Sequence, residues 1–217
     1  RQVSHDQQAS FYQFMLEDID RLNHLVNQML DAGRLESGRA GGEVEDVPLS
    51  ELLRECAEVI CLRYRVPGET VLLDLEPCVV RARRVDLEML FRNLLDNAVK
   101  YAAVPPQVEV SLRLESGRLA AVRIADNGRG IPAKMRRKIF RRFVRLGLEL
   151  EREKPGTGLG LYIARTVARR LRGRIRVRDR RPGPGTVFEV QLPGGPAPAP
   201  APAAAEQPQA EQEAEVT

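Results

Sequence analysis

Tryptophan is absent from the sequence, aromatic residues make up only 5% of it, and there are two histidines and three cysteines. So few aromatic rings argue against a surface that recognises sugars or bases by stacking. Cys56, Cys61 and Cys78 form neither a CxxC pair nor a cluster with histidine. We therefore expect reduced, mostly buried thiols rather than a metal site or a disulfide framework. No apolar run approaches the roughly 20 residues that span a membrane, and there is no signal peptide.

Charge of both signs is present in ordinary amounts, but it is unevenly distributed. The 217 residues carry a net charge of +4. Four glutamates lie in a terminal stretch without Lys or Arg, so removing their charges leaves about +8 on residues 1–205. A basic body suits nucleic acid, a membrane surface or a polyphosphate ligand. A compositional bias toward arginine explains it equally well, so we expect no nucleic-acid partner.

The first 40 residues predict one long helix, from about residue 8 to residue 36. Apolar side chains recur there with 4-3-4-3 spacing at Met15, Ile19, Leu22, Val26 and Met29. This spacing is typical of a helical bundle, because it forms a seam for a partner helix. We therefore assign residues 1–40 to a bundle helix and expect homodimerisation through it. Because the sequence begins at Arg1 rather than Met, we also expect it to be part of a longer protein.

Residues 41–194 predict a second domain, of mixed helices and strands. Helices are expected at about 48–65, 84–102 and 158–171, and strands at 70–75, 108–114, 119–125, 174–178 and 186–192. One hairpin is clear and there is no regular βαβ alternation. The fold class is therefore α+β, a two-layer α/β sandwich preceded by the long bundle helix. Residues 195–217, rich in Pro, Ala and Glu, predict a disordered tail.

The segment 93–101 (NLLDNAVKY) carries an unusual polar face on the second helix of this domain. Asn93, Asn97 and Lys100 fall on one side at i, i+4 and i+7. Asn is a poor helix former, whereas amide oxygens beside an ammonium group suit a hydrated Mg²⁺ next to phosphate oxygens. The alternative is a solvent-facing side with two incidental Asn, and this segment alone does not separate the two.

Two glycine-rich segments follow. The first, 126–132 (DNGRGIP), comes directly after a predicted strand. Its glycines permit positive φ and close approach of a ligand, and Asp126 can accept a hydrogen bond from an amino group such as that of adenine. Asp-Asn-Gly is equally an ordinary turn signal. The second segment, 156–161 (GTGLGL), opens a helix and offers N–H donors to phosphate. It fits neither a Rossmann fingerprint nor a Walker A loop.

Taken in this order, the three segments resemble the N, G1 and G2 boxes of the histidine kinase branch of the GHKL ATPase superfamily. Residues 139–145 (IFRRFVR) resemble the F box of that family. Residues 21–38 resemble the second helix of its dimerisation and phosphotransfer hairpin, and residues 185–193 resemble its closing strands. The resemblance covers roughly residues 10–193. It implies the Bergerat ATP-binding fold, with ATP and Mg²⁺ as cofactors.

The resemblance implies a role for each matched position. Asn97 would be the main Mg²⁺ ligand, Asn93 would support the metal or the phosphates and act in catalysis, and Asp126 would select adenine. The remaining nucleotide contacts would be Lys100, Tyr101, Gly128, Gly130, Ile131, Phe140, Gly156, Thr157, Gly158, Leu159, Gly160 and Leu161.

The same resemblance makes residues 132–157 a mobile lid over ATP. Phe140 and Phe143 would anchor this lid. Arg145 and Lys154 would be its catalytic cations, since they are the lid side chains expected to reach the γ-phosphate.

The sequence departs from the family at the phosphate-accepting histidine. In the family this His is followed by an acidic residue, then commonly by a basic residue and Pro, on the first helix of the hairpin. His5 lacks the last two features and lies too close to residues 21–22 to leave room for that helix. His24 lies within the second-helix signature. We therefore expect neither to be the acceptor, and this chain not to autophosphorylate alone.

The function implied by the resemblance is that of a two-component histidine kinase. It would bind Mg-ATP and transfer the γ-phosphoryl group to a histidine absent from this sequence, for relay to a response-regulator aspartate. One alternative is a nucleotide-binding pseudokinase that acts as a scaffold or receiver phosphatase. A GHKL ATPase is less favoured, since such enzymes use a Glu as general base where this chain has Asn93. The expected partners are a response-regulator receiver domain and a second copy of the chain. The expected location is cytoplasmic, with any membrane attachment through an upstream region.

Overall fold

The computed structural model describes residues 42–146 and 156–197, together with separate helical positions between residues 8 and 33. The predicted seam falls on these helical positions. Met15, Ile19, Leu22, Val26 and Met29 are 46 to 61% exposed. An exposed apolar stripe on one chain is what a seam for a second helix requires. The predicted disordered tail, 195–217, begins too early, because Gly195 and Pro196 pair with Val79 and Cys78 as a short strand. The tail from residue 198 onward lies outside the described residues, as do His5 and His24.

A five-stranded mixed sheet forms one layer of the main domain. Its strands are β2 (Val71–Leu75), β4 (Val108–Glu115), β5 (Leu119–Asp126), β6 (Arg174–Asp179) and β7 (Thr186–Pro193), in the order β2-β4-β5-β7-β6. β4 and β5 pair antiparallel from Val108 opposite Asp126 to Glu115 opposite Leu119, which confirms the predicted hairpin. Alternating residues of β4, such as Val110 and Leu112, are buried. The sheet therefore has one apolar face that must be covered.

Three helices cover that face: α1 (Leu49–Tyr64), α2 (Arg84–Tyr101) and α3 (Gly160–Arg170). α2 is the central one, and its fully buried side chains recur at helical spacing, at Leu87, Leu90, Phe91, Leu94, Leu95 and Ala98. Complete burial of a side chain such as Phe91 contributes about 2 to 3 kcal/mol. α2 ends at Tyr101, shortly before two prolines, as predicted. The two-layer α/β arrangement predicted from the pattern is confirmed.

A second, smaller sheet is a feature that the sequence pattern did not predict. It consists of β1 (Glu45–Pro48), β3 (Cys78–Ala82) and β8 (Gly195–Pro196), in the order β1-β3-β8. Each strand has at most five residues. β1 pairs with β3, although α1 and β2 lie between them in the sequence. Strands this short, with partners this distant along the chain, lack the turn signal that identifies a hairpin.

The predicted boundaries need small corrections. The first predicted strand begins at Val71, because residues 68–70 form a 3₁₀ turn. α3 begins at Gly160 rather than at residue 158, because Gly158 has a φ of +73° and cannot belong to the helix. All three cysteines are free and buried, as predicted. Burial raises the pKa of the Cys56 and Cys78 thiols to about 11, so they remain protonated. No helix in the described part of the chain is long and apolar enough to cross a membrane.

Candidate nucleotide-binding site

An open cavity lies between α2, the start of α3 and the ends of β5 and β7. It opens to solvent, and the space inside its mouth and in front of it is about 950 Å³. The predicted site residues that line it are Asn97, Lys100, Tyr101, Asp126, Gly130, Ile131, Arg145, Gly156, Thr157, Gly158, Gly160 and Leu161. Three segments far apart in sequence are therefore brought to one place.

The polar face of α2 borders this cavity, with Asn97 in its wall and Asn93 Oδ1 next to Gly160, which also lines it. Asn93 Nδ2 donates a hydrogen bond to Met89 O at 2.8 Å, and Asn97 Nδ2 donates to Asn93 O at 2.6 Å. Each side-chain amide thus donates one N–H to a carbonyl of its own helix. The Oδ1 atoms do not donate hydrogen bonds. Amide oxygens of this kind are ligands that a hard cation such as Mg²⁺ prefers.

The glycine-rich segment before α3 lies directly against this polar face. A Cβ added at Gly160 would be 2.6 Å from Asn93 Oδ1, and one added at Gly156 would be 2.7 Å from Lys100 Nζ. No methyl group fits at Gly160 without displacing the Asn93 side chain. The absence of side chains at these positions therefore brings α2 and the N-terminus of α3 into contact.

The N-terminal end of α3 makes this part of the cavity suitable for an anion. Leu159 N donates to Thr157 Oγ1 at 3.1 Å, which closes a tight turn just before the helix. The first N–H groups of a helix point outward and carry the positive end of its dipole. Lys100, Arg129 and Arg145 also line the cavity and add positive charge. Phosphate groups match this combination of backbone donors and side-chain cations.

At the other end of the cavity, Asp126 is only 3% exposed. Its Oδ1 accepts hydrogen bonds from Gly128 N at 2.8 Å and from Thr186 N at 3.3 Å. Burial raises the pKa of this carboxyl above its ordinary value, and the bonds from Gly128 and Thr186 oppose that rise. A buried carboxyl held by two backbone amides has a fixed orientation and can accept a hydrogen bond from a ligand.

Close backbone contacts fix the position of Asp126. A Cβ at Gly128 would be 2.2 Å from Tyr101 O, and a Cβ at Gly185 would be 1.9 Å from Asp126 O. Neither position tolerates a side chain. The backbone of the segment after β5 is therefore packed against the end of α2 on one side and the start of β7 on the other.

The root of the predicted lid is the described part 132–146. Phe140 is 7% exposed and belongs to the hydrophobic core, as an anchor must. Phe143 is 67% exposed, so the expectation that its side chain anchors the lid is wrong. Its backbone makes the contact instead, since Phe143 N donates to Gly158 O at 3.1 Å. A Cβ at Gly158 would lie 2.8 Å from the Phe143 carbonyl carbon, so the two ends of the lid touch through main chain.

The remaining predicted site residues lie beside the cavity or outside the described chain. Asn93 meets Gly160 at the edge of the cavity, and Gly128 supports Asp126. Phe140 and Leu159 are buried in the core rather than in the cavity wall. Lys154 lies outside the described residues.

Sequence reasoning missed several residues that help to form the site, and Thr186 and Asp96 are the two with hydrogen bonds that explain their position. Thr186 lines the cavity and binds Asp126 through its backbone N–H. Its position after Gly185 at the start of a closing strand was the available signal. Asp96 also lines the cavity and accepts hydrogen bonds from Tyr64 Oη at 3.0 Å and Arg63 Nη1 at 3.2 Å. No local pattern distinguishes it, because its partners come from α1.

Among the described residues, no cluster of three or more His, Cys, Asp or Glu side chains could hold a metal ion by itself. A Mg²⁺ site that takes most of its ligands from substrate phosphates and water needs only one or two protein oxygens. The Asn93 and Asn97 oxygens next to the anion-binding end of the cavity fit that kind of site.

Comparisons with known proteins agree with this geometry. Residues 82–196 match the family described as histidine kinase-, DNA gyrase B-, and HSP90-like ATPase. The circadian input-output histidine kinase CikA of Synechococcus elongatus is 30% identical over 153 residues, which are 68% of this chain and 20% of CikA.

Solved structures give the same result. A mycobacterial sensor histidine kinase, MprB, has a TM-score of 0.62 and 30% identity, over 71% of this chain and 100% of that one. Full-length ShkA in complex with AMPPNP has a TM-score of 0.67 and 27% identity, over 94% of this chain and 42% of that one. The chain spans only a fifth of the length of CikA. It belongs to the histidine kinase-, DNA gyrase B- and HSP90-like ATPase family, as the ATP-binding domain of the sensor histidine kinases.

Proposed function

We propose that this chain binds Mg-ATP in the cavity between α2 and α3 and donates the γ-phosphoryl group to a histidine of a two-component signalling system. The observation that carries this proposal is the contact between the polar face of α2 and the glycines before α3. It brings amide oxygens, an ammonium group and helix N–H donors within reach of one polyphosphate. Phosphoryl transfer depends mainly on such positioning and charge neutralisation.

Different residues along the cavity would bind different parts of ATP. Asp126 orients the adenine by accepting a hydrogen bond from its amino group. Lys100 and Arg145 neutralise phosphate charge, and the main chain at 156–160 donates to phosphate oxygens. Asn97, supported by Asn93, would hold Mg²⁺, which supplies further charge neutralisation when bound.

Transfer is favoured over hydrolysis by the chemistry of the cavity wall. Asn93 is an amide and cannot take a proton from water. The carboxylates among the described lining residues, Asp96 and Asp126, already accept hydrogen bonds from protein donors. We therefore propose that bound ATP is kept for a protein acceptor. That acceptor is a histidine other than His5 and His24, and the phosphate then passes to a response-regulator receiver domain. The exposed apolar stripe from Met15 to Met29 supports a second copy of this chain as a further partner.

Calorimetric titration of ATP with and without Mg²⁺ tests the nucleotide site. We expect Asn97→Ala and Asp126→Asn each to weaken Mg-ATP binding at least tenfold, about 1.4 kcal/mol. Asp179→Asn is the matched control, because that exposed carboxylate pairs with Arg136 on the outside of the domain. Undiminished affinity in either site variant contradicts the assignment.

Phosphotransfer is tested separately, with radiolabelled ATP and a separately expressed helical hairpin that carries a phosphate-accepting histidine. We expect acid-labile phosphate on the hairpin and none on this chain. Label on His5 or His24 would show that the acceptor assignment is wrong. Rapid ATP hydrolysis without transfer would favour the ATPase alternative.

A further inference from the structure

Two arginine–aromatic contacts cross between the root of the lid and α3. Cζ of Arg142, from the lid, lies 4.6 Å from the ring centroid of Tyr162, on α3, and Arg142 Nη2 donates to the Tyr162 hydroxyl at 2.7 Å. Cζ of Arg165, from α3, lies 5.3 Å from the ring centroid of Phe140, in the lid root. Each segment thus supplies one cation and one ring. Guanidinium groups bind aromatic faces and strengthen that contact as they lose water.

These contacts lie next to the groups that would handle phosphate. Arg142 is three residues before Arg145, which lines the cavity. Tyr162 is two residues after Gly160, which faces Asn93. One residue after Arg142, Phe143 N donates to Gly158 O and joins the two sides of the lid through main chain. Only two residues therefore separate Arg145 from Arg142, which contacts Tyr162 on α3.

Most of the Arg142–Tyr162 contact is at the surface. The buried side chains of Ile139 and Phe140 already hold the lid root onto the domain. The exposed Arg142–Tyr162 contact adds little to that attachment, but it is closer to Arg145 along the chain. It restricts the direction in which the chain leaves Phe143, and hence where the next side chains point.

We propose that Arg142 and Tyr162 are positioning residues for Arg145. Their contact fixes the lid root on α3, so that the Arg145 guanidinium stays at the phosphate end of the cavity and distinguishes ATP from ADP. This inference rests on the proposed function, because it assigns to Arg145 a contact with the γ-phosphate.

The test is the ratio of the affinities for ATP and ADP. Arg142→Met and Tyr162→Leu should weaken ATP binding about tenfold and ADP binding less than about twofold. Arg145→Met should give the same pattern. The double variant Arg142→Met/Arg145→Met should be no worse than Arg145→Met alone, because the first residue acts through the second. Tyr162→Phe keeps the ring and should retain most of the ATP affinity.

The matched control is Arg137→Met. Arg137 is an exposed arginine of the same lid root without an ion pair or side-chain hydrogen bond in the described part of the chain. It should leave both affinities unchanged. Melting temperatures of all variants identify any that are unfolded. If Arg142→Met is unfolded, Arg142→Lys takes its place, because it keeps a cation near the ring. This variant should weaken ATP binding by less than about tenfold and leave ADP binding unchanged.

Several outcomes overturn the proposal. Equal loss of ATP and ADP affinity would mean that the Arg142–Tyr162 contact only stabilises the fold. Unchanged affinities would mean that the contact has no role in nucleotide binding. Additive losses in the double variant mean that Arg142 does not act through Arg145. If the unmodified chain binds neither nucleotide, the proposed function itself fails, so the two failures are distinguishable.

Discussion

The two ends of the cavity are built in different ways. At the Asp126 end, the contacts that fix the site are made by main chain: the amides of Gly128 and Thr186, and the close approach of Gly185. At the lid root, one main-chain contact between Phe143 and Gly158 is joined by contacts between side chains, namely Arg142 with Tyr162 and Arg165 with Phe140. The Asp126 end is held by the sheet and by residues that lack side chains, whereas the lid root depends more on side chains that can separate.

This difference has a physical consequence. Main-chain contacts without free space can be broken only by distorting the strands that carry them. Side-chain contacts at a surface are individually weak and can re-form in other arrangements. We therefore expect substitutions that add atoms to the packed main chain at the Asp126 end to act on the whole fold. Those at the lid root should act mainly on the lid, except where a ring enters the core.

The largest effect is expected from Gly185→Ala. Its new methyl group would lie 1.9 Å from Asp126 O, on a residue whose φ is +138°. We expect a loss of more than about 3 kcal/mol in the free energy of unfolding, measured in urea. Gly183→Ala is the control, since Gly183 also has positive φ but has nothing within 4 Å of an added Cβ. It should cost about 1 kcal/mol. Equal losses would mean that the close approach at Gly185 does not limit stability.

The next largest effect separates the two phenylalanines of the lid root. Phe140→Ala removes a buried ring and should cost about 3 to 5 kcal/mol. Phe143→Ala removes an exposed ring and should change the free energy of unfolding by less than about 0.5 kcal/mol. Thermal and urea unfolding of both variants measure this contrast. Similar losses for both would mean that Phe143 is buried in solution.

A smaller effect is expected from Arg165→Met, which removes the guanidinium over Phe140. The pKa of Arg165 is lowered by burial and then by Arg169, so its charge is partly desolvated. We expect a cost of about 0.5 to 1 kcal/mol. Arg169→Met removes a like charge close to Arg165 and should not destabilise the domain. If both variants were equally destabilised, the contact with Phe140 would not be the cause.

The smallest effect on stability is expected from Asp126→Asn, and its sign depends on pH. Burial raises the pKa of Asp126 above 3.8, so the folded state binds this proton more tightly than the unfolded state. The resulting stabilisation is fully present below 3.8 and is lost as pH rises through the folded pKa. Asn resembles the protonated form. The variant should therefore gain stability relative to the parent as pH rises, while it loses nucleotide affinity.

Urea unfolding of the parent and the Asp126→Asn variant between pH 3 and pH 7 measures this difference. Other titrating groups are common to both proteins and cancel. A difference independent of pH would show that the hydrogen bonds balance burial at this carboxyl, and one that favours the parent more as pH rises would show that they outweigh it.

Local patterns were enough to predict most of the elements of the main domain. The alternation along β4 and the turn after it predicted the hairpin, and the positions of Asn93, Asn97 and Lys100 on one face of α2 were predicted from spacing alone. The small sheet of β1, β3 and β8 was missed because its pairing depends on chain segments separated by whole elements.

The errors at the site have the same origin. Phe140 and Phe143 are both apolar residues of one short segment, and nothing local distinguishes the buried ring from the exposed one. Thr186 and Asp96 acquire their places from partners on other elements, namely Asp126 in one case and Tyr64 with Arg63 in the other. Side-chain types and spacing identify candidates, whereas burial and partners depend on packing.

The sequence by itself determined which chemical groups are available: amide oxygens and an ammonium group on one helix face, a carboxylate after a strand, and glycines before a helix. Periodicity and turn chemistry are local, so these could be recognised without a fold. Only the tertiary structure decided that Gly160 lies against Asn93, that Gly185 lies against Asp126, and that the lid root is held on α3 by crossed arginine–aromatic contacts. Those contacts join distant segments, and close packing of the two layers alone sets their distances.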